Sequence, residues 1–322
     1  MADKNSIAPV AHKPVMLERC LALLTPALEN RNDAIIVDAT VGLGGHSRAL
    51  LEKFPKLRLV GIDRDQKALE KSRSLLANFE SRISLVHAVY DQIPEVLADL
   101  GIEGVAGILF DLGISSMQID DLTRGFSYAQ SAPLDMRMDS SSAVTAEHVL
   151  QNYSQEELTK IIREFGEERF ASRIAANVVK ARSEGRLLTT EDLAEIVKAS
   201  IPAPARRLGG NPAKRTFQAI RIEVNQELAV LKRALPRALN LIELNGRVVV
   251  MSFQSLEDRI VKKAFAEVCE SKSPIGLPVE LSHHKAKFKL VFNGSETASA
   301  QEVGENPRAK SVRLRAIERV AI

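Results

Sequence analysis

Residues 34–47, Ala34-Ile-Ile-Val-Asp38-Ala-Thr-Val-Gly42-Leu-Gly44-Gly45-His46-Ser47, decide the fold. A short apolar run stopped by a carboxylate reads as a buried strand, and the glycines that follow make a tight turn into a helix. Glycine lets the backbone approach a ligand closely, and a helix start leaves N–H groups free to meet a negative group. The same unit recurs downstream. Arg58-Leu-Val-Gly-Ile62 stops at Asp63, Ile83 to Val86 precedes a polar stretch, and Val105 to Phe110 stops at Asp111. Between these runs, 47–54, 66–77 and 95–100 carry helical spacing, so the first third predicts βαβαβαβ with a parallel sheet, the doubly wound α/β class.

Beyond Asp111 the pattern changes. A Gly/Ser/Asp-rich loop runs to about Ser142, and four amphipathic helices follow with no strand among them. Ser154-Gln-Glu-Glu157 and Thr189-Thr-Glu-Asp192 are capping-box starts, each leading into an apolar series. An all-helical insertion is the simplest account, with an exit loop, 201–212, rich in proline, glycine and arginine. From Phe217 a long helical pattern leads to a fifth strand, Gly246 to Met251, and Lys287 to Phe292 with Val312 to Ala316 predict a closing antiparallel hairpin. The expected organisation is a first sheet segment over 1–125, a helical insertion over 126–212 and a second sheet segment over 213–322.

The bulk numbers agree with two units. At 322 residues the chain exceeds the size at which a single core usually keeps growing. With 45% apolar and 26% charged residues it has the composition of an ordinary globular protein. No run approaches the roughly 20 apolar residues that span a bilayer, and the start Met1-Ala-Asp-Lys-Asn-Ser6 leads into no signal-like segment, so a cytoplasmic protein off the membrane is expected. Cys20 and Cys269 stand in helix-like apolar segments without metal or disulfide spacing. His46, His87, His283 and His284 show no metal spacing either, and no metal is expected. A net charge of +3 permits nucleic-acid binding without requiring it, and the absence of tryptophan argues against a broad base-stacking surface.

In open α/β sheets ligands bind beyond the carboxyl ends of the strands, which is where Asp38, Asp63 and Asp111 fall. Asp63 follows the glycine turn by about twenty residues, the spacing at which a carboxylate accepts hydrogen bonds from ribose hydroxyls. Either a dinucleotide or S-adenosylmethionine places a ribose there. A Gly-x-Gly-x-x-Gly reading fails, because Ser47 stands where the third glycine belongs. Asp111-Leu-Gly-Ile-Ser-Ser-Met-Gln118 adds a carboxylate, two hydroxyls and an amide to the same crevice, or else Asp111 simply caps a turn.

Several further segments give the chain a family resemblance. They are His12-Lys-Pro-Val-Met16, Arg124-Gly-Phe-Ser127, Pro133-Leu-Asp-Met-Arg-Met-Asp139, 217–225 (Phe-Gln-Ala-Ile-Arg-Ile-Glu-Val-Asn), 252–259 (Ser-Phe-Gln-Ser-Leu-Glu-Asp-Arg) and Asn306-Pro-Arg-Ala-Lys310. Together with Gly61-Ile-Asp-Arg-Asp65 and the two turns above, they resemble the bacterial ribosomal RNA small subunit (cytosine-N4) methyltransferases of the H type. The resemblance implies a class I, Rossmann-like S-adenosylmethionine methyltransferase sheet interrupted by a helical substrate-recognition domain. It implies transfer of a methyl group to cytosine N4 in the decoding region of small-subunit (16S) rRNA, as free RNA or within the subunit, by a monomer or homodimer. By the family pattern Gly44, Gly45 and His46 hold the methionine end, Asp63 holds the ribose, Tyr90 flanks the adenine, and Asp111 and Gln118 complete the pocket; Asp38 and Gly42, in the same first turn, are further cofactor-binding candidates. The chain departs from the pattern with Tyr90 where phenylalanine is usual and Ala132 where many relatives have glycine.

Cytosine N4 is a poor nucleophile because its lone pair is delocalised into the ring, so acceptors must hold the amine hydrogens. The Asn/Asp/Ser-Pro-Pro-aromatic loop that many amino methyltransferases use is absent; Asp111-Leu-Gly-Ile-Ser-Ser116 stands in its place. The candidates are Ser115 or Ser116 with Asp135 or Asp139. The alternative is that Asp135 and Asp139 pair with Arg137 or cap the first insertion helix. Arg206, Arg207, Lys214, Arg215 and Arg221 are the candidate RNA phosphate contacts. The rival functions are a nicotinamide oxidoreductase, for which no hydride-site His or Tyr-Lys arrangement is evident, and a non-catalytic ribosome-assembly factor.

Overall fold

The computed structural model describes residues 14–29, 31–206, 210–271, 273 and 284–321; His12, Lys13, Arg207 and His283 lie outside them. The strands are β1 (Ile35–Asp38), β2 (Arg58–Asp63), β3 (Ile83–His87), β4 (Val105–Asp111), β5 (Ile242–Ser252), β6 (Phe288–Leu290) and β7 (Arg313–Arg319). They form one seven-stranded sheet in the order β3-β2-β1-β4-β5-β7-β6. β1 to β5 pair in parallel, whereas β7 runs antiparallel to both β5 and β6. This is the doubly wound α/β sheet that the apolar runs predict. Its antiparallel pair differs in one respect from a simple closing hairpin: β7 sits inside, hydrogen-bonded to β5, and β6 forms the edge.

The helices before the insertion are α1 (Leu17–Leu28), α2 (Gly45–Lys53), α3 (Gln66–Leu75), α4 (Ile93–Asp99) and the short α5 (Ser116–Asp120). The insertion contributes α6 (Ala146–Asn152), α7 (Gln155–Gly166), α8 (Ala171–Ser183), α9 (Thr190–Ser200) and one turn, α10 (Ala203–Arg206). There follow α11 (Lys214–Asn225), α12 (Glu227–Asn240), α13 (Ser255–Cys269) and α14 (Ala300–Glu305). Both capping boxes form: Ser154 Oγ accepts the Glu157 amide, and Thr189 Oγ1 accepts the Asp192 amide. No described helix is long and apolar enough to cross a membrane.

The sheet is covered on both faces, as near-continuous apolar strands require. Leu97 of α4, Leu235 of α12 and Phe265 of α13 pack with Val37, Ile108 and Val250. Leu24 of α1 and Leu51 of α2 pack with Ile36, Leu109 and Val249 on the other side. A separate core fills the helical unit, and it includes Phe217, Ile220 and Val224 of α11 as well as the helices before it. The helix that sequence reading places in the second sheet segment therefore buries its apolar face in the insertion. The long helical pattern from Phe217 is in fact two helices, broken at Gln226, which takes left-handed φ/ψ (52°, 31°).

Candidate active site

The register puts the carboxyl ends of the central strands side by side: Asp38 on β1 stands opposite Gly61 of β2 and Leu109 of β4. Asp38, Asp63 and Asp111 thus project from one end of the sheet, as their positions after apolar runs predict. Each is held differently. Asp38 is buried; its Oδ2 accepts the Ser47 hydroxyl at 2.6 Å and its Oδ1 accepts the Thr40 amide, while burial raises its pKa to about 6. Its partner Ser47 lies in the first turns of α2, so this carboxylate pins the glycine turn from beneath.

Asp63 is fixed by two amides: Gly42 N–H donates to Oδ2 at 2.7 Å and Asp65 N–H to Oδ1 at 2.8 Å. Each oxygen keeps a lone pair for a further donor. Burial again lifts the carboxyl, to about 6. Gly42 and Gly44 both have positive φ, 53° and 82°, which lets the chain double back beneath the strand ends. A Cβ on Gly45 would lie 2.4 Å from Pro14 Cγ, so this glycine admits the N-terminal segment against the turn.

Asp111 has no hydrogen-bond donor among the described residues; His46 Nδ1 lies 3.8 Å from its Oδ2. Burial, followed by the negative charges of Asp38 and Glu257, pushes its pKa up to about 8. His46 is itself buried, with Nε2 3.1 Å from the Val15 carbonyl, a contact that calls for the proton on Nε2. Tyr90, half-buried, meets Phe110 edge to face at 5.7 Å, and its hydroxyl lies 3.5 Å from the Glu227 carbonyl. Burial holds that phenol well above its ordinary range.

The remaining candidates separate. Gln118 is buried and donates to Asp65 Oδ2 at 2.9 Å while accepting the Ser115 amide, so it braces the loop after β4. Ser115 Oγ caps α5 by accepting the Gln118 amide. Ser116 Oγ is buried without a hydrogen-bond partner among the described residues, a condition that asks for an explanation. Asp135 is occupied by Arg137, which donates Nε and its amide to Oδ1 and Nη2 to Oδ2. Asp139 accepts the Ser141 amide and hydroxyl through Oδ1; burial opposes its ionisation, but these two bonds hold its pKa below the usual carboxylate value.

The basic candidates also divide. Lys214 is exposed at the start of α11. Arg215 is exposed, with Nη1 donating to the Glu167 carbonyl. Arg206 is partly covered and its Nε has no partner among the described residues. Arg221 forms a two-point ion pair with buried Glu227 at 2.8 and 3.0 Å, its side chain only 15% exposed, so it does not face solvent as a phosphate contact would. Sequence reading missed Arg124 and Asn225, both buried beside the site. They stand within two of the quoted segments, and only the fold reveals what they touch.

The MraW methylase family model matches residues 9–320. A protein called Ribosomal RNA small subunit methyltransferase H from Saccharopolyspora erythraea is 55% identical over 319 residues, covering 99% of this chain and 96% of its own. The protein of the same name from Salinispora tropica is 55% identical over 313 residues, covering 96% and 84%. That from Pseudarthrobacter chlorophenolicus is 53% identical over 313 residues, covering 96% and 95%. Matched along almost its whole length, with the strand-end acids and glycine turn in place, the chain belongs to the MraW methylase family.

Proposed function

We propose that this protein transfers a methyl group from S-adenosylmethionine to the exocyclic N4 of a cytosine in the decoding region of small-subunit ribosomal RNA. The observation that carries the reading is the row of three carboxylates at the ends of β1, β2 and β4, with Asp63 fixed by the Gly42 and Asp65 amides. The donor set suits the cofactor's chemistry. Asp63 offers two oriented acceptors to a ribose diol. Asp111, raised by burial and then by neighbouring negative charge, is stabilised in its ionised form by a cationic group such as an ammonium or sulfonium. Tyr90 on its Phe110 support provides an apolar ring face beside the end of β3, suited to adenine. The small-subunit rRNA as substrate is supported by the names of relatives at 53–55% identity.

When bound, S-adenosylmethionine supplies an electrophilic methyl carbon on a positively charged sulfur. The protein's task is to hold the cytosine amine with its lone pair free. An acceptor for the amine hydrogens favours pyramidal nitrogen, and Ser116, with its buried unpaired hydroxyl, is the best candidate among the two serines. Of the two loop acids, Asp139 retains an oxygen outside its local turn, while both oxygens of Asp135 are held by Arg137. Lys214, Arg206 and Arg215 supply positive charge on the helical side for RNA phosphates.

Incubating the protein with methyl-labelled S-adenosylmethionine and small ribosomal subunits from cells lacking the modification tests this directly. Label in N4-methylcytidine after digestion is the expected result. Label in another nucleoside overturns the assigned atom, and no label on subunits or free rRNA overturns the catalytic reading.

A further inference from the structure

The segment Met136-Arg-Met138 belongs to no helix or strand, yet all six of its main-chain polar groups are hydrogen-bonded within the protein. Five of the six go to Arg124 or Asn225. The Met136 amide donates to the Arg124 carbonyl at 2.9 Å. Arg124 Nη2 donates to the Arg137 and Met138 carbonyls at 2.8 and 2.9 Å. Asn225 Nδ2 donates to the Met136 carbonyl, and Asn225 Oδ1 accepts the Met138 amide, both at 2.7 Å. The sixth, the Arg137 amide, bonds to Asp135. Met136 is held at a φ of 57°, a left-handed conformation unfavourable for a side chain of its size, and such strain persists only where the surroundings impose it.

The far ends of both residues reach the same place. Arg124 Nη1 pairs with Asp65 Oδ2 at 3.1 Å, with side chains 8% and 4% exposed. The Asn225 carbonyl accepts Arg64 Nη1 at 2.9 Å. Residues 64 and 65 directly follow Asp63, and the Asp65 amide is one of the two that orient the Asp63 carboxylate. Asn225 also closes α11, which packs in the helical core, and the next residues turn the chain into α12 on the sheet.

We infer that Arg124 and Asn225 are positioning residues that lock the 133–139 loop of the helical unit to the end of β2, so that the loop and the Asp63 turn form one rigid wall. The inference rests on the proposed methyl transfer for its catalytic consequence only. Neither side chain has to touch substrate or cofactor. What they set is the placement of the loop that carries Asp139 relative to the sheet-borne half of the site. An amine and a methyl donor held by different units react only when those units keep register, and a misplacement of about 1 Å costs roughly 100-fold in rate.

The test uses the full-length chain, with S-adenosylhomocysteine as the binding probe and small ribosomal subunits as substrate. Asn225→Ala is expected to lower kcat about 100-fold, to keep one S-adenosylhomocysteine site per chain with affinity within about threefold, and to raise amide exchange across 133–139. Asn225→Asp, which keeps the acceptor but loses the donor, falls between. Arg124→Lys keeps the charge beside Asp65 but cannot reach both carbonyls, and it is expected to repeat the split if Asn225→Ala fails to fold. A kcat within threefold of the parent, or unchanged exchange at 133–139 in the folded variants, overturns the inference. Failure of the parent chain to methylate RNA overturns the proposed function instead, and the exchange and binding measurements still decide whether the loop is locked.

Discussion

Asp63 Oδ2 accepts the Gly42 amide at 2.7 Å, so the carboxylate at the end of β2 is aimed by the turn that follows β1. Replacing Asp63 with alanine is expected to weaken S-adenosylmethionine binding about 10- to 100-fold, the equivalent of losing roughly 1.5–3 kcal/mol from hydrogen bonds to a charged group. Calorimetric titration measures it. Unaltered affinity contradicts the ribose assignment.

Asp111, raised to about 8 by burial and by Asp38 and Glu257, is largely protonated at pH 7 in the free protein. A cationic ligand beside it draws the pKa down, so binding releases a proton. Affinity should rise by up to about tenfold per pH unit between pH 6 and 8 and level off above, because the proton is already gone there. Titrations in buffers of different ionisation enthalpy should show the release in the parent and not in Asp111→Asn. The stability effect has the matching sign. A carboxyl whose folded pKa exceeds its unfolded value favours folding when protonated, and that benefit is lost as pH rises from about 4 through 8. The melting temperature of Asp111→Asn relative to the parent should therefore increase from pH 5 to pH 8; a flat difference removes the claim.

Gly125 has a φ of 68°, and a Cβ there would lie 2.2 Å from the Pro133 carbonyl oxygen. Gly185 has the same φ with nothing within 4 Å. Alanine at Gly185 should cost about 1 kcal/mol, from the backbone conformation alone. Alanine at Gly125 must also displace the loop, and is expected to cost at least about 2–3 kcal/mol in urea unfolding. Equal losses at the two sites refute the clash.

Arg221→Met leaves the Glu227 carboxylate buried without its partner and is expected to destabilise the fold by about 3–5 kcal/mol, with no change in the salt dependence of RNA binding. Lys214→Gln should do the reverse. It should leave the unfolding midpoint in place and reduce the slope of log affinity against log salt by about 0.7–0.9. A reduced salt slope for Arg221→Met would restore it to the RNA contacts.

Much of this architecture is legible locally. Strands that are buried on both faces read as apolar runs, and the acids that stop them mark the functional end of the sheet. Ser154 and Thr189 announce their helices because a capping box is written within four residues. The break at Gln226 is not legible, since apolar spacing continues through it and no glycine or proline marks it. Long-range partners are likewise hidden. Arg221 looks like any basic residue until the chain turns and brings Glu227 under it, and nothing near Arg124 or Asn225 in sequence shows that both close on the same three residues. The inner place of β7 escapes for a similar reason: strand order at a sheet edge depends on which backbone pairs, and alternating apolar and charged residues do not say which strand meets β5.

β4 and β5 are neighbours in the sheet although the entire helical unit lies between them in sequence. Bringing Asp111 beside Met251 closes a very long loop, and the entropy of doing so is smaller if that loop is already compact. The helical unit has its own core, in which α7, α8 and α9 pack on their neighbours in sequence and α11 closes back onto α7. Collapse of this unit ahead of the sheet would draw the two halves of the sheet within reach, and a lesion in its core is then expected to slow refolding of strands it never touches.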